Sequence, residues 1–210
     1  MRSKALTCSQ CQKTLYLLSE DSDLCVCPYC GKSNVLNTSS PLIEGLIPEM
    51  MSIIMIGSKF QWNDKEYTVN GRILFLCENG YLMFWYAIAA AGKVWLYESN
   101  QDYAVIEKMD DNGLPNLFKG KEIGNKMMYN KEKYLVEFYD QVTETYGEGE
   151  AKSLGEIKSK TIVIRCTTLE SKVIFAFVID KLKATILSGT YTSAIDLKLK
   201  NTRNVDAWNF

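Results

Sequence analysis

The apolar and polar positions of this chain follow strand patterns. Between residues 65 and 107, β-branched and aromatic residues form short runs that turn formers interrupt, which is typical of consecutive strands in an antiparallel sheet. The strongest turn signal is Asn79-Gly80, because both residues tolerate the positive φ of a tight hairpin turn. We therefore predict paired strands at 72–77 and 81–88, followed by strands at 94–98 and 103–107. Trp62, Trp85 and Trp95 lie in or beside this meander and place the core there.

A second run of strands occupies the C-terminal half. Residues 131–146 alternate in part and predict one long strand. We expect this strand to end at the Gly-Glu-Gly-Glu sequence of residues 147–150, which we interpret as a solvated turn. Further strands are predicted at 161–167, 172–180 and 183–190, and their short connections favour antiparallel hairpins. The strand at 172–180 is apolar on both faces, so we expect it to be central. Residues 195–199 predict one more strand, at an edge.

Four cysteines near the N-terminus have the spacing of a metal site. Cys8-Ser-Gln-Cys11 and Cys27-Pro-Tyr-Cys30 are two C-x2-C pairs with fifteen residues between them. Each pair forms a tight turn, and a hairpin brings the two turns together into a tetrahedral thiolate site for Zn²⁺. Gly31 permits the turn after the second pair. Cys25 is an alternative ligand by position, but we expect it to be a small buried strand residue.

Composition narrows the class of protein. The chain has 210 residues, 47% of them apolar, and a net charge of −1, so it has material for a core but no broadly basic surface. It has no histidine, which excludes Ser-His and Cys-His nucleophile pairs and histidine metal sites. Seven cysteines, with no secretory or membrane-spanning pattern, predict a cytoplasmic protein that uses its thiols for metal binding or in its core.

These signals predict a mainly β protein in four parts. Residues 1–36, called the ribbon below, resemble the zinc-ribbon family between positions 7 and 34, which implies that short hairpins clamp one zinc ion. Residues 37–57 are a linker and apolar strap, in which Pro48 disfavours an uninterrupted helix. Residues 58–200 form an antiparallel β-meander or barrel-like domain, with strands in two halves at 58–110 and 131–200. In the tail at 201–210, we expect Trp208 and Phe210 to dock on the body of the protein.

The β domain also resembles a family of uncharacterised bacterial domains, DUF4178. The resemblance rests on Gly57, the Tyr67-Thr-Val-x-Gly71-Arg72 turn into a strand, Phe84-Trp85-Tyr86, and Trp95-Leu96-x-Glu98 followed by Tyr103. Members commonly carry an N-terminal four-cysteine ribbon, and they often have Glu-Trp where this chain has Phe84-Trp85. They are often encoded near membrane-stress or phage-defence genes, so the resemblance implies an accessory role in such a system, and it brings no catalytic residue.

The main functional hypothesis is a non-enzymatic, zinc-binding adaptor that binds another protein. It rests on the absence of histidine, of a phosphate-binding loop and of a nucleotide fingerprint, together with the strong strand and core patterns. The ribbon is a second contact or a structural cap, since a segment of about 30 residues folds only with its metal.

One alternative is nucleic-acid binding through the ribbon, with Lys13, Tyr16, Tyr29 and Lys32 as contacts. The low net charge and the negative thiolates disfavour it, and we expect Tyr16 to pack inside the ribbon. The nearest basic patch elsewhere, at Lys119, Lys121 and Lys126, is interpreted as a solvated loop.

The other alternative is an enzyme with a site in the β domain. Its candidate groups are Arg72, Glu98, Glu148 and Arg165, with Glu150 as a possible partner of Glu148 in acid and base chemistry. No nucleophile, base and orienting group occur together in the sequence, so this hypothesis ranks below the adaptor.

Overall fold

The computed structural model describes residues 4–20, 22–36, 43–47, 52–90, 92–99, 102–110, 115–118, 120–180 and 183–203. Parts of the expected strap, including Pro48, lie outside these ranges, as do Lys119 and the two aromatic residues of the tail, Trp208 and Phe210. In its described parts, 43–47 and 52–57, the strap contains no helix, and Ile43 and Ile54 are buried against the β domain.

The ribbon consists of two short hairpins. Strands β1 (Ala5–Thr7) and β2 (Thr14–Tyr16) form a two-stranded sheet of their own. Strand β3 (Leu24–Val26) pairs with β4 (Ser33–Val35), and this second hairpin joins the large sheet of the protein. The short strand β5 (Gly45–Leu46) follows in the strap.

The predicted meander is present. Its strands are β6 (Lys59–Trp62), β7 (Lys65–Cys77), β8 (Tyr81–Ala89), β9 (Gly92–Ser99) and β10 (Asp102–Asp110), each antiparallel to the next. The pairing across Asn79-Gly80 is confirmed, with Leu76 opposite Tyr81.

The C-terminal half contains a second meander. Its elements are the single-turn helix α1 (Pro115–Phe118), β11 (Lys126–Tyr129), β12 (Glu132–Ala151), β13 (Ile162–Thr167), β14 (Lys172–Val178) and β15 (Ala184–Thr192). The antiparallel hairpins predicted after the long strand are confirmed. Within the described ranges, no helix is long and apolar enough to cross a membrane.

The two meanders close on each other. Strand β10 pairs with β15 at one seam, and β12 pairs with β7 at the other. The ring therefore runs β7-β8-β9-β10-β15-β14-β13-β12 and returns to β7, with every pair antiparallel. This arrangement confirms the mainly β fold class, and the barrel-like domain is a closed eight-stranded barrel. The interior of a barrel with eight strands is just wide enough for side chains to fill.

Strand β12 corrects the prediction at 147–150. These residues do not end the strand: those up to Gly149 pair with β7, and Glu150 and Ala151 pair with β3. At Gly149, where φ is 69°, a Cβ atom would lie 2.4 Å from the carbonyl oxygen of Asn70. The glycine is therefore needed because β12 approaches β7 closely here, and its interpretation as a turn residue is wrong.

Both faces of the barrel wall are covered. Inside, Phe84, Phe175 and Phe177 pack their rings against one another. Outside, residues around Ile54 and Leu197 cover β7 to β10, and α1 with β11 covers β12 to β15. Strand β14 is central, as predicted, because both of its faces are buried.

The prediction of a strand at 195–199 is wrong. Residues 194–198 form turns, and the stretch makes only an isolated bridge from Lys200 to Lys59. The Ser193 hydroxyl accepts the N–H of Asp196 at 3.1 Å, which favours a turn over an extended chain. The apolar pattern arises because Leu197 is buried on the outer face of the barrel.

Candidate metal centre and ribbon cleft

The four cysteines of the C-x2-C pairs lie together. The sulfur atoms of Cys8, Cys11, Cys27 and Cys30 are all within 4.8 Å of one another. The Cys8 and Cys30 sulfurs are 3.7 Å apart, and those of Cys11 and Cys27 are 3.6 Å apart. Zn–S bonds of about 2.3 Å in a tetrahedron place the sulfurs about 3.8 Å apart. Because all seven cysteines of the chain are free, these four can hold a metal ion.

The two C-x2-C turns have the same backbone geometry. In each turn the residue after the second cysteine donates its N–H to the carbonyl of the first, Gln12 to Cys8 at 3.1 Å and Gly31 to Cys27 at 2.9 Å. Both donors have positive φ, 61° and 73°. Gly31 therefore has the role expected from the sequence, and Gln12 adopts the same conformation without being glycine.

Asn34 joins the two turns and was missed from the sequence. Its side chain is buried, accepts the N–H of Ser9 at 2.9 Å and donates to the carbonyl of Lys32 at 3.0 Å. Its Nδ2 atom also lies 3.8 Å from the sulfur of Cys8. Asparagine is disfavoured in strands, so an asparagine in a short strand beside a C-x2-C-G turn is the signal that could have identified it.

The thiols of the site differ in acidity. The N–H of Cys11 lowers the pKa of the Cys8 thiol to about 6, against the effect of burial. The N–H of Lys32 also lowers the pKa of Cys30, but burial and the three neighbouring sulfurs outweigh it and raise that pKa to about 12. One thiolate forms easily in this cluster, whereas four thiolates together require a bound cation.

Cys25 lies outside the cluster. It is buried in β3, and burial raises the pKa of its thiol to about 12. A neutral thiol in such a place behaves as a small apolar residue, which agrees with its interpretation from the sequence.

The ribbon is joined to the barrel through its second hairpin. Strand β3 extends the large sheet by pairing with the end of β12, and Leu24 and Val26 belong to the same hydrophobic cluster as the barrel interior. The carboxylate of Asp23 is buried and accepts the N–H of Ser153 at 2.9 Å. The ribbon and the barrel therefore share both main-chain hydrogen bonds and a core.

Glu150 strengthens this junction and corrects the interpretation of 147–150 as a solvated turn. Its side chain is 4% exposed and accepts hydrogen bonds from the N–H groups of Leu18 and Ser19 and from the hydroxyl of Ser22. Charge-assisted hydrogen bonds to a buried carboxylate are strong. Glu150 thus holds the ribbon on the barrel.

A cleft of about 810 Å³ lies where the ribbon, the strap and the barrel meet. We call it the ribbon cleft. On the ribbon side it is lined by Tyr16, Leu18 and Tyr29, and on the barrel side by Asn70 and Arg72.

The prediction that Tyr16 packs inside the ribbon is wrong. Its side chain is 70% exposed, because Leu15 and Leu17 alternate with it and occupy the interior. Tyr29 is also exposed, and the ammonium of Lys13 lies 5.5 Å from its ring centre. The suggested nucleic-acid contacts are thus at the ribbon surface, as is Lys32.

Arg72 lies on the floor of the ribbon cleft between two acidic residues. Its guanidinium is bound to Glu148 at 2.8 Å and lies 4.8 Å from the ring of Trp85. Glu98 is buried nearby and accepts the indole N–H of Trp85 and the hydroxyl of Ser52, both at 2.7 Å. Burial raises the pKa of Glu98 although these donors and Arg72 lower it. Three of the four groups suggested for an enzyme therefore lie close together: Arg72 and Glu148 form an ion pair, and Glu98 is held by the indole of Trp85, over whose ring Arg72 lies.

Arg165, the fourth of these groups, lies apart from them. Its Nη1 donates to the hydroxyl of Tyr97 at 2.7 Å, and its guanidinium carbon lies 5.7 Å from the ring centre of Phe138. This arginine packs among aromatic side chains and does not line the ribbon cleft.

Comparison of the chain with protein-family models finds no match. Searches of curated proteins and of solved structures find none either. The resemblance to DUF4178 stays a prediction.

Proposed function

We propose that this protein is a non-enzymatic, zinc-binding adaptor of the cytoplasm that binds another protein in the ribbon cleft. The observation that carries the proposal is the clustering of exposed apolar side chains at this cleft. Of the eleven large apolar residues that are exposed in the described part of the chain, four line it: Tyr16, Leu18, Tyr29 and Leu46. Exposed apolar residues grouped at one concave site are typical of interaction surfaces, and tyrosine is among the commonest contact residues there.

Zinc is the metal we assign to the four cysteines. A closed set of four thiolates at tetrahedral spacing is the usual structural zinc site, and the sulfur separations fit its bond lengths. The ion would fix the two turns of the ribbon, and Glu150 would fix the ribbon against the barrel. The wall of the cleft that carries Tyr16 and Tyr29 would then be rigid before a partner arrives, which reduces the entropic cost of binding.

Two features support a cytoplasmic location and a role in binding. Seven free thiols fit a reducing compartment such as the cytoplasm. Three of the four charged residues that line the cleft, Arg72, Glu148 and Glu150, already bind one another or the ribbon, as expected for a binding surface. Through the resemblance to DUF4178, we expect the partner to belong to a bacterial stress or defence system.

The test is capture of partners from nuclease-treated lysate of the native cell with three forms of the tagged, zinc-loaded protein. The forms are the wild type, the cleft variant Tyr16→Ser/Tyr29→Ser, and the control variant Tyr139→Ser/Leu169→Ser. The control removes the same number of exposed apolar side chains, one of which lines a different cleft of about 700 Å³.

We expect one protein to be recovered near one-to-one with the wild type and the control, and to be lost with the cleft variant. Equal recovery with all three forms would contradict binding at the ribbon cleft. Recovery of material that only nuclease removes would favour the nucleic-acid alternative instead.

A further inference from the structure

One residue that lines the ribbon cleft, Asn70, has a side-chain amide with no partner among the described residues. Asn70 is 6% exposed and lines the cleft, yet its side chain makes no hydrogen bond with any described residue. Buried polar groups in folded proteins almost always have a partner in the protein or in solvent. Because the amide atoms of Asn70 are not sealed from solvent in the open cleft, a ligand from outside the chain can take the place of water there.

A bulge in β7 directs Asn70 to this position. The register between β7 and β8 shifts between Val69 and Gly71, so Asn70 has no opposite residue on β8. On its other side, β7 approaches β12 so closely that Gly149 has no room for a Cβ atom. Bulges of this kind re-aim a side chain and are common at functional sites.

The charges that line the ribbon cleft cancel. Arg72 and Arg203 face Glu148 and Glu150, which gives a formal charge of zero. Arg72 is bound to Glu148, and Glu150 is occupied by donors of the ribbon. Arg203, the fourth charged residue of the lining, makes no ion pair with a described residue but is partly exposed to solvent. Because the lining carries no net charge to attract an ion, it favours an uncharged occupant.

One wall of the cleft is a free strand edge. Within the described residues, β2 pairs only with β1, and all three of its residues line the cleft. The N–H of Leu17 donates to the carbonyl of Lys4 just beyond the strand pair. Because hydrogen-bonded positions alternate along an antiparallel pair, Thr14 and Tyr16 direct their N–H and C=O groups away from β1, to the outer edge.

We propose that an extended, uncharged segment of the partner protein binds in the ribbon cleft as a third strand beside β2. This inference rests on the proposed function. The main chain of the segment pairs with Thr14 and Tyr16, and one of its peptide groups bonds to the side chain of Asn70. The asparagine amide offers a donor and an acceptor, as a peptide group does, and the addition of a strand to an exposed edge is a common mode of peptide recognition. Apolar side chains of the segment contact Leu18 and Tyr29.

The test begins with affinity selection of random linear heptapeptides on the zinc-loaded protein. The selected peptides are then resynthesised with blocked ends and with single N-methyl groups placed in turn at each residue. We expect uncharged sequences, and we expect N-methylation to lower affinity at least tenfold at every second residue and little at the others, because only alternate N–H groups of an added strand face β2. Charged consensus sequences, an effect of N-methylation without the two-residue period, or no enrichment would overturn the proposal.

Matched variants locate the binding. Thr14→Pro removes a main-chain N–H from the cleft edge of β2, and Thr7→Pro removes the N–H of the residue directly opposite, on the far edge of β1. We expect Thr14→Pro to abolish peptide binding and Thr7→Pro to preserve it, with both variants still binding one metal ion. Asn70→Ala should weaken binding about fivefold, the value of one hydrogen bond, without lowering the melting temperature, whereas Asn125→Ala should change neither.

The variants also separate this inference from the proposed function. If Tyr16→Ser/Tyr29→Ser abolishes capture of the partner but Thr14→Pro does not, the adaptor function stands and strand addition fails. If neither Tyr16→Ser/Tyr29→Ser nor Thr14→Pro affects capture, both proposals fail. If Thr14→Pro disrupts a dimer that forms without peptide, the edge is occupied by a second copy of this chain, and the proposal of a partner segment is overturned.

Discussion

Replacing Glu150 with glutamine tests how firmly the ribbon is held on the barrel. The carboxylate accepts two backbone N–H groups and one hydroxyl while almost fully buried. In Glu150→Gln, the new NH₂ group faces one of these donors and leaves at least one backbone N–H without an acceptor, which costs about 2 kcal/mol. The bonds that persist change from charge-assisted to neutral, which adds about 1 kcal/mol. We expect the free energy of unfolding to fall by about 3 kcal/mol in total.

The assay is urea unfolding of the zinc-loaded protein, followed by tryptophan fluorescence from the barrel and by a zinc-sensitive dye for the ribbon. With a slope of about 3 kcal/mol per molar urea, the midpoint should fall by about 1 M. The control is Glu156→Gln, whose carboxylate is largely exposed and lies 3.3 Å from Lys183, so its loss should cost no more than about 0.5 kcal/mol.

Because Leu24 and Val26 share the barrel core, both probes should report one transition in the wild type. Two results would contradict the role of Glu150 and the shared core. One is a Glu150→Gln midpoint equal to that of the control. The other is release of zinc well before the barrel unfolds in the wild type, which would show that the ribbon is not part of one cooperative unit.

Three further predictions concern the metal and the ion pairs. Cys30→Ser, or a strong chelator, should remove the metal and lower the melting temperature of the barrel as well as of the ribbon, as calorimetry with and without added zinc can measure; an unchanged barrel transition would count against the shared core. Glu148→Gln should cost about 2 kcal/mol in urea unfolding, because it leaves the buried guanidinium of Arg72 without its partner; a loss below about 0.5 kcal/mol would disagree. Lys59 lowers the pKa of Glu66, so the stabilisation from Glu66 is present at neutral pH and is lost as the pH falls below 4.5. The difference in stability between wild type and Glu66→Gln should therefore shrink over that range, and a difference that stays constant in acid would refute this assignment.

The sequence was most informative where the signal is local. The turn at Asn79-Gly80, the strand alternation and the C-x2-C spacing depend on residues close together in the chain, and the hairpins and the cysteine cluster follow from them. The two apolar faces of residues 172–180 also correctly predicted that β14 is a central strand. Each of these features is determined within a short stretch of the chain, and the longest, the cysteine cluster, joins residues 22 positions apart.

Long-range contacts explain where the predictions failed. Gly149 looks like a turn residue until β7 is brought against it, and Leu197 looks like a strand residue until the barrel wall is placed beneath it. The burial of Glu150 depends on donors 128 to 132 positions away in the chain. The ribbon cleft could not be predicted for the same reason, since Tyr16 and Asn70 meet only after the ribbon docks on the barrel.

Hydrogen exchange of the captured complex locates the surface on which the partner binds. The zinc-loaded protein is compared with and without its partner, and exchange is read on peptides that cover β2, the 27–31 turn and the bulge at Asn70. We expect slower exchange in these three segments and no change around Leu135 and Leu169, which line the cleft of about 700 Å³. Protection around Leu135 and Leu169 with unchanged exchange at β2 and Asn70 would contradict binding at the ribbon cleft.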